Sequence, residues 1–319
     1  MGSNVNSDSS EHLYASMYRI RRFEEEVFEF YKRGLMPGLA HLYIGEEAIA
    51  VGACEAIRQD DFISSTHRGH GHLLARGAEP KLMMAEILGK QTGYCHGKGG
   101  SMHIMDMKRG ILGANGIVGG GIPIATGAAY SCRFRGTDQV VLCFFGDGAS
   151  NEGTFHESVN MAAAWDLPVI YIIENNLYGI TVSVDRVTKE HDLARRAIGY
   201  GIDGYTIDGN DVEIVRDTVA HAVAKARKGE GPSIVECKTY RQHGHNGSDN
   251  GAYRKPGELE YWKSRDPLKI FKEKQLLSEK QIADIERSVD QEIAEACRFA
   301  EESPYPDESE LMRGIFYEG

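Results

Sequence analysis

Asp147 stands between two glycines directly after an apolar run, in VVLCFFGDGASNEG at residues 140–153. A carboxylate at the mouth of a buried strand is either turn chemistry or a hard oxygen for a cation. A second apolar run, PVIYIIEN at 168–175, leads into Asn175 and Asn176 within ENNLYG. Residues 149–174 separate the two features, a length that suits one helix plus one strand. That interval sets Asn176 next to Asp147 at the lip of one sheet. Magnesium takes about six oxygen ligands in an octahedron and commonly bridges few protein groups to phosphates. A helix opening near Asn151 would point its N-terminal amides toward the same anion. A dinucleotide fingerprint fits poorly, because GDGASN at 146–151 lacks the third glycine of G-x-G-x-x-G. A carboxylate in its middle would also repel a pyrophosphate unless a cation lay between them.

These groups need elements to hold them. Residues 11–34 carry Leu13, Met17, Ile20, Phe23, Val27 and Phe30 at helical spacing, with Gly34 as a stop. A small-residue helix follows at 46–58, then a short strand and the histidine-rich turn STHRGHGH within 61–77, then a helix at 80–90. The glycine-dense stretch 93–121 is too rich in glycine for a regular element, and its apolar residues argue for an ordered, functional loop. From 122 onward helix and strand alternate: helices at 122–134, 152–165, near 192–199 and at 211–228, and strands at 139–145, 168–175, 203–207 and 232–240. Repeated βα units predict an α/β fold, a mostly parallel sheet with helices on both faces, which binds ligands at the carboxyl ends of its strands. GDG and ENN both fall at such ends. A second polar, glycine-rich loop spans 241–256, and 258–303 reads as a charged helical layer. The organisation expected is a flexible lead at 1–10, one α/β domain at 11–275 and a helical extension at 276–319.

The bulk numbers narrow the class. The chain has 319 residues, 41% hydrophobic and 26% charged, which suits a large globular core. A net charge of −11 argues against a general nucleic-acid binder but leaves room for a phosphorylated ligand at a helix N-terminus. The six cysteines form no CxxC pair and read as thiols in a reducing compartment. No run approaches the roughly 18 apolar residues of a membrane span, and the polar start MGSNVNSDSS lacks a secretory core. The expected location is cytoplasmic.

GDG and NN at this interval resemble the thiamine diphosphate motif. From about residue 15 to 275 the chain resembles the alpha subunits of the decarboxylating component of 2-oxo acid dehydrogenase complexes, a group that includes pyruvate, branched-chain and acetoin types. The resemblance rests on HLYIGEEAIAVG, HRGHGH, HGKGGSMH, GANGIVGGGIPIATGAA, GDGASNEGTFHESVNMAAAW, ENNLYGI and YRQHGHNGSD. It implies thiamine diphosphate and Mg2+ as cofactors, with Asp147, Asn176 and the Tyr178 carbonyl as metal ligands. It implies that Gly148, Ala149 and Arg68 hold the diphosphate, and that Gly116 and Val118 meet the aminopyrimidine through their backbones. His41 would face substrate, and His245 would reach the diphosphate side and assist lipoyl transfer. The lesser alternatives are a surface ion pair for Arg68, a hydrogen-bonded structural histidine for His41 and a loop anchor for His245. His67, His70 and His72 lack a carboxylate or cysteine at zinc-like spacing, and His96 and His103 read as structural.

The chain departs from the pyruvate type at two places. His67 stands where that type has tyrosine, which places it in the cofactor region of an acetoin-type site. HGHNGSDNG replaces the HGHS…SDP loop, so control by phosphorylation at that serine should not apply. The resemblance further implies a beta subunit that supplies the activating glutamate, a lipoyl acyltransferase partner and inactivity of the chain alone. Acetoin is favoured as substrate over pyruvate or another 2-oxo acid. A split transketolase-like transferase and a cofactor-free scaffold are the rivals.

Overall fold

The computed structural model describes residues 4–315. Five strands form one all-parallel sheet: β1 (Phe62–Ser64), β2 (Val141–Gly146), β3 (Val169–Asn175), β6 (Asp203–Asp208) and β7 (Ser233–Lys238), in the order β1-β2-β3-β7-β6. Between β3 and β6 a small antiparallel hairpin intervenes, β4 (Tyr178–Gly179) and β5 (Val182–Ser183), which the sequence did not reveal. Side chains of a strand alternate between faces. Accordingly Leu142 and Phe144 join one core with Ile170 and Ile172, while Val141, Cys143 and Phe145 join another with Val169 and Ile173. A continuous apolar run is what a sheet covered on both faces requires.

The first core lies under α1 (Asn4–Lys32), α2 (Glu47–Glu55), α3 (His70–Ala75), α4 (Pro80–Ile87) and, further along the chain, α8 (Val212–Arg227). The second lies under α5 (Gly121–Arg135), α6 (Gly153–Ala164) and a 3-10 segment at Leu193–Tyr200. A single turn, α7 (Val184–Val187), follows the hairpin. Then come α9 (Glu258–Ser264), α10 (Pro267–Glu273) and α11 (Glu279–Glu302). The helix α11 packs on α1 and α4, and its Val289, Ile293 and Ala300 belong to the first core, so the C-terminal layer is built into the body of the fold.

Several expectations shift by a turn or more. Residues 1–3 of the expected flexible lead lie outside the described residues, and 4–10 form the first turns of α1, since a long amphipathic helix propagates into polar sequence once nucleated. Part of the expected histidine-rich turn is α3, capped by backbone bonds. The glycine-dense loop is ordered around one buried carboxylate: Glu86 accepts from the backbone N–H groups of Cys95, Gly97, Gly99 and Gly100 at 2.8–3.0 Å. Gly97, at φ +77°, lies against the backbone of Gly89, where a Cβ would collide. All six cysteines are free, and no described helix is long and apolar enough to cross a membrane.

Candidate active site at the strand ends

A cavity of about 300 Å³ opens at the carboxyl ends of β1, β2, β3 and β7. The register pairs Gly146 with Glu174, so Asp147 and Asn176 leave adjacent strands side by side. Both are buried and line the cavity. Burial raises the Asp147 carboxyl to about 6, against the opposing pull of Arg241 and of backbone N–H groups including that of Asn176. The two asparagines divide their work. Asn175 turns into the sheet, donating to Glu236 Oε1 at 2.7 Å and accepting from Leu177 N–H at 3.2 Å. Asn176 donates through Nδ2 to Glu46 Oε1 at 3.1 Å, and its buried Oδ1 has no partner. The turn that carries it holds Leu177 (φ +74°) and Ile180 (φ +54°) in the left-handed region, a strain that clusters at functional sites.

A 3-10 turn at Gly148–Asn151 lies between Asp147 and α6, so the helix expected near Asn151 opens at Gly153 instead. Gly148 and Ala149 line the cavity beside the hairpin, and a Cβ at Gly148 would lie 3.4 Å from Gly179 Cα. Val118 forms part of the opposite wall. Gly116 does not; it sits between the lining residues Asn115 and Ile117, with its own open side against His103.

Two guanidiniums are buried at this cavity. Arg68 donates to Leu42 O at 2.7 Å and His245 O at 3.0 Å. Arg241 donates to the carbonyls of Tyr178 (3.0 Å) and Ile180 and to Tyr253 Oη at 2.8 Å, and its buried Nε is unpartnered. Their donors go to carbonyls and a hydroxyl, not to a carboxylate. Buried charges are normally paired, so this corner can take an anion. Sequence reasoning missed Arg241. Its motif YRQHGHNGSD was the available signal, but which charged residue of that loop turns inward depends on carbonyls from the β4–β5 hairpin.

His67 and His245 line the cavity, and His41 packs edge-on against both, with ring centroids 4.9 and 5.0 Å away. His41 is thus behind the wall rather than part of it. Nδ1 of His41 and Nδ1 of His245 are buried without partners. Burial, helped by Arg68, lowers His41 to about 3, His67 to about 2 and His245 to about 4, so all three imidazoles are neutral at neutral pH. His70 and His72 point elsewhere. His70 bridges Glu24 (3.0 Å) and Ser101 (2.9 Å), and His72 bridges Ser65 (2.8 Å) and Glu174 (2.9 Å).

Known proteins are similar to this chain in sequence over nearly its whole length. The description of the family "Dehydrogenase E1 component" matches residues 15–309. The alpha subunit of acetoin:2,6-dichlorophenolindophenol oxidoreductase from Bacillus subtilis is 45% identical, covering 99% of this chain and 96% of that protein. Its counterpart from Cupriavidus necator is 44% identical over 95% and 93%. The pyruvate dehydrogenase E1 component subunit alpha of Rhizobium meliloti is 42% identical over 95% and 88%. With this match across the cavity and both cores, the chain belongs to the dehydrogenase E1 component family and is a thiamine diphosphate-dependent oxidoreductase.

Proposed function

We propose that the chain is the alpha subunit of an acetoin-cleaving dehydrogenase that holds thiamine diphosphate and Mg2+ at the strand ends and passes a two-carbon unit to a lipoyl group on a partner acyltransferase. The observation that carries this reading is one cavity with two buried guanidiniums that hydrogen-bond no carboxylate, Asp147 and the unpartnered Asn176 Oδ1. The residues fit the cofactor. Asp147 and Asn176 Oδ1 offer hard oxygens to Mg2+, as does the Tyr178 carbonyl, which keeps a lone pair beyond the one that Arg241 uses. Arg68 and Arg241 offer charge-assisted donors to the diphosphate. Bound there, thiamine diphosphate supplies a carbon nucleophile for the substrate carbonyl. The neutral imidazoles of His67 and His245, backed by the neutral His41, suit an uncharged hydroxyketone, to whose hydroxyl and carbonyl the two lining rings can accept or donate a hydrogen bond. The two relatives named for acetoin support the same substrate.

A beta subunit completes the assembly and supplies the carboxylate that activates the cofactor. Support comes from an exposed apolar face on α5 and α6. Tyr130 lies 6.2 Å from Phe134 and 5.6 Å from Trp165, all three exposed, and Ile124 of α5 and Met161 of α6 are exposed as well. A patch of this kind marks a protein interface, and Ile117 and Val118 join exposed apolar surface to the cavity wall. Phe134→Asp with Trp165→Asp should leave the chain folded and strip the partner in size-exclusion chromatography; an intact complex would contradict the assignment.

Substrate is tested by dye reduction with the assembled subunits, thiamine diphosphate and Mg2+. Acetoin should turn over faster than pyruvate. The reverse order would make the enzyme a pyruvate type, and turnover of neither would favour a transketolase-like transferase.

A further inference from the structure

GEEA, within HLYIGEEAIAVG, has two adjacent glutamates, and the structure separates their tasks. The turn ahead of α2 is locked against the end of β7. Gly45, at φ +103°, presses on the Tyr240 carbonyl where no side chain fits, and Thr239 Oγ1 donates to Gly45 O at 3.1 Å. Glu47 secures the same turn from below, accepting from Gly45 N–H at 3.0 Å and pairing with Arg21 at 2.6 Å. Glu46 takes no part in that lock. It is fully buried, and its side chain makes a single hydrogen bond, to Asn176.

An asparagine amide can present oxygen or nitrogen to a site, and its orientation is set by what lies on the other side. Here the other side is Glu46 Oε1, 3.1 Å from Nδ2. We infer that Glu46 is a positioning residue whose Oε1 holds the Asn176 amide with its oxygen, rather than its nitrogen, toward the metal position beside Asp147. The assignment rests on the proposed metal reading of the cavity. It holds in either protonation state, because Oε1 can accept while any proton sits on the unpartnered Oε2. Glu46 itself does not line the cavity, so its effect passes through Asn176.

The test uses the full chain assembled with its partner subunit, thiamine diphosphate, and Mn2+ as the probe, with free Mn2+ read by electron paramagnetic resonance. Groups that orient a metal ligand are worth about 10- to 100-fold in affinity, so Glu46→Leu should weaken Mn2+ binding by that factor. Glu46→Gln keeps an acceptor oxygen and should stay within about threefold of the parent. A carboxylate presents oxygen whichever way it turns, so adding Asn176→Asp to Glu46→Leu should recover most of the loss. Parent-like binding by Glu46→Leu, a Gln variant as weak as the Leu variant, or no recovery in the double variant would each overturn the inference. If the parent assembly itself takes up no Mn2+, the reading of the cavity fails and this assignment falls with it.

Discussion

Two neighbouring pairs of identical residues meet different fates. In HRGHGH, His72 is closed on both sides by Ser65 and Glu174 and stacks on Phe144 with centroids 4.0 Å apart, whereas His67 faces the cavity. In ENNLYG, Asn175 is closed by Glu236 and the backbone, whereas Asn176 keeps an unpartnered oxygen. Residue type and sequence position are nearly the same within each pair. What differs is whether the fold has already supplied every hydrogen-bond partner. A closed polar group is a strut, and its loss is felt in stability. A group left open is held for a ligand, and its loss is felt in binding and turnover.

Substitutions should separate the two classes. The largest effect is expected at the open asparagine: Asn176→Ala should lower metal-dependent turnover by more than about 100-fold, since a direct ligand matters more than the groups behind it. The same change at Asn175 should cost about 2–3 kcal/mol of stability while metal affinity persists, as urea unfolding alongside metal titration would show. Equal loss of metal affinity in both variants would break the comparison. Next, Arg68→Ala should weaken diphosphate binding by about 2–3 kcal/mol, the worth of a charged hydrogen bond; calorimetry with thiamine diphosphate checks this, and an unchanged affinity would place the anion elsewhere.

The histidine pair gives a stability contrast. His72→Phe removes the imidazole partner of Ser65 and one of the two partners of Glu174 Oε1, the other being Tyr43, and should cost about 2–4 kcal/mol, whereas His67→Phe should cost under about 1 kcal/mol and raise KM for acetoin. Thermal unfolding and steady-state kinetics on both variants would reveal a swap of these effects. A further contrast concerns pH. An unfolded chain protonates these histidines near 6.5, but the folded chain protonates His41, His67 and His245 only near 3, 2 and 4. The unfolded state therefore binds more protons in that window, and these groups make the fold lose stability as pH falls below 6.5. His67→Phe should make that acid limb shallower by about 1.4 kcal/mol per pH unit between about pH 4 and 6, and an unaltered slope would show that His67 titrates freely.

The same contrast explains what the sequence made legible. The β2 and β3 runs and their terminal GDG and NN could be placed because apolar continuity, glycine and one helix-plus-strand interval are local signals. Asn176 beside Asp147 followed from parallel register alone. Closure by distant partners left no such mark: Glu24 lies 46 residues from His70, and Glu174 lies 102 from His72. Arg241 and the convergence of His41 with His67 and His245 likewise depend on three separate loops meeting at one mouth. The β4–β5 hairpin, two residues to each strand, is too short for any periodicity to register.

Asp147 is the hinge of the proposed metal-bridged site. Calorimetric titration of thiamine diphosphate into the assembled subunits, with and without Mg2+, should show binding that requires the ion and is lost in Asp147→Ala. Binding that is indifferent to Mg2+, or undiminished in Asp147→Ala, would contradict the placement of a metal-bridged diphosphate at the strand ends.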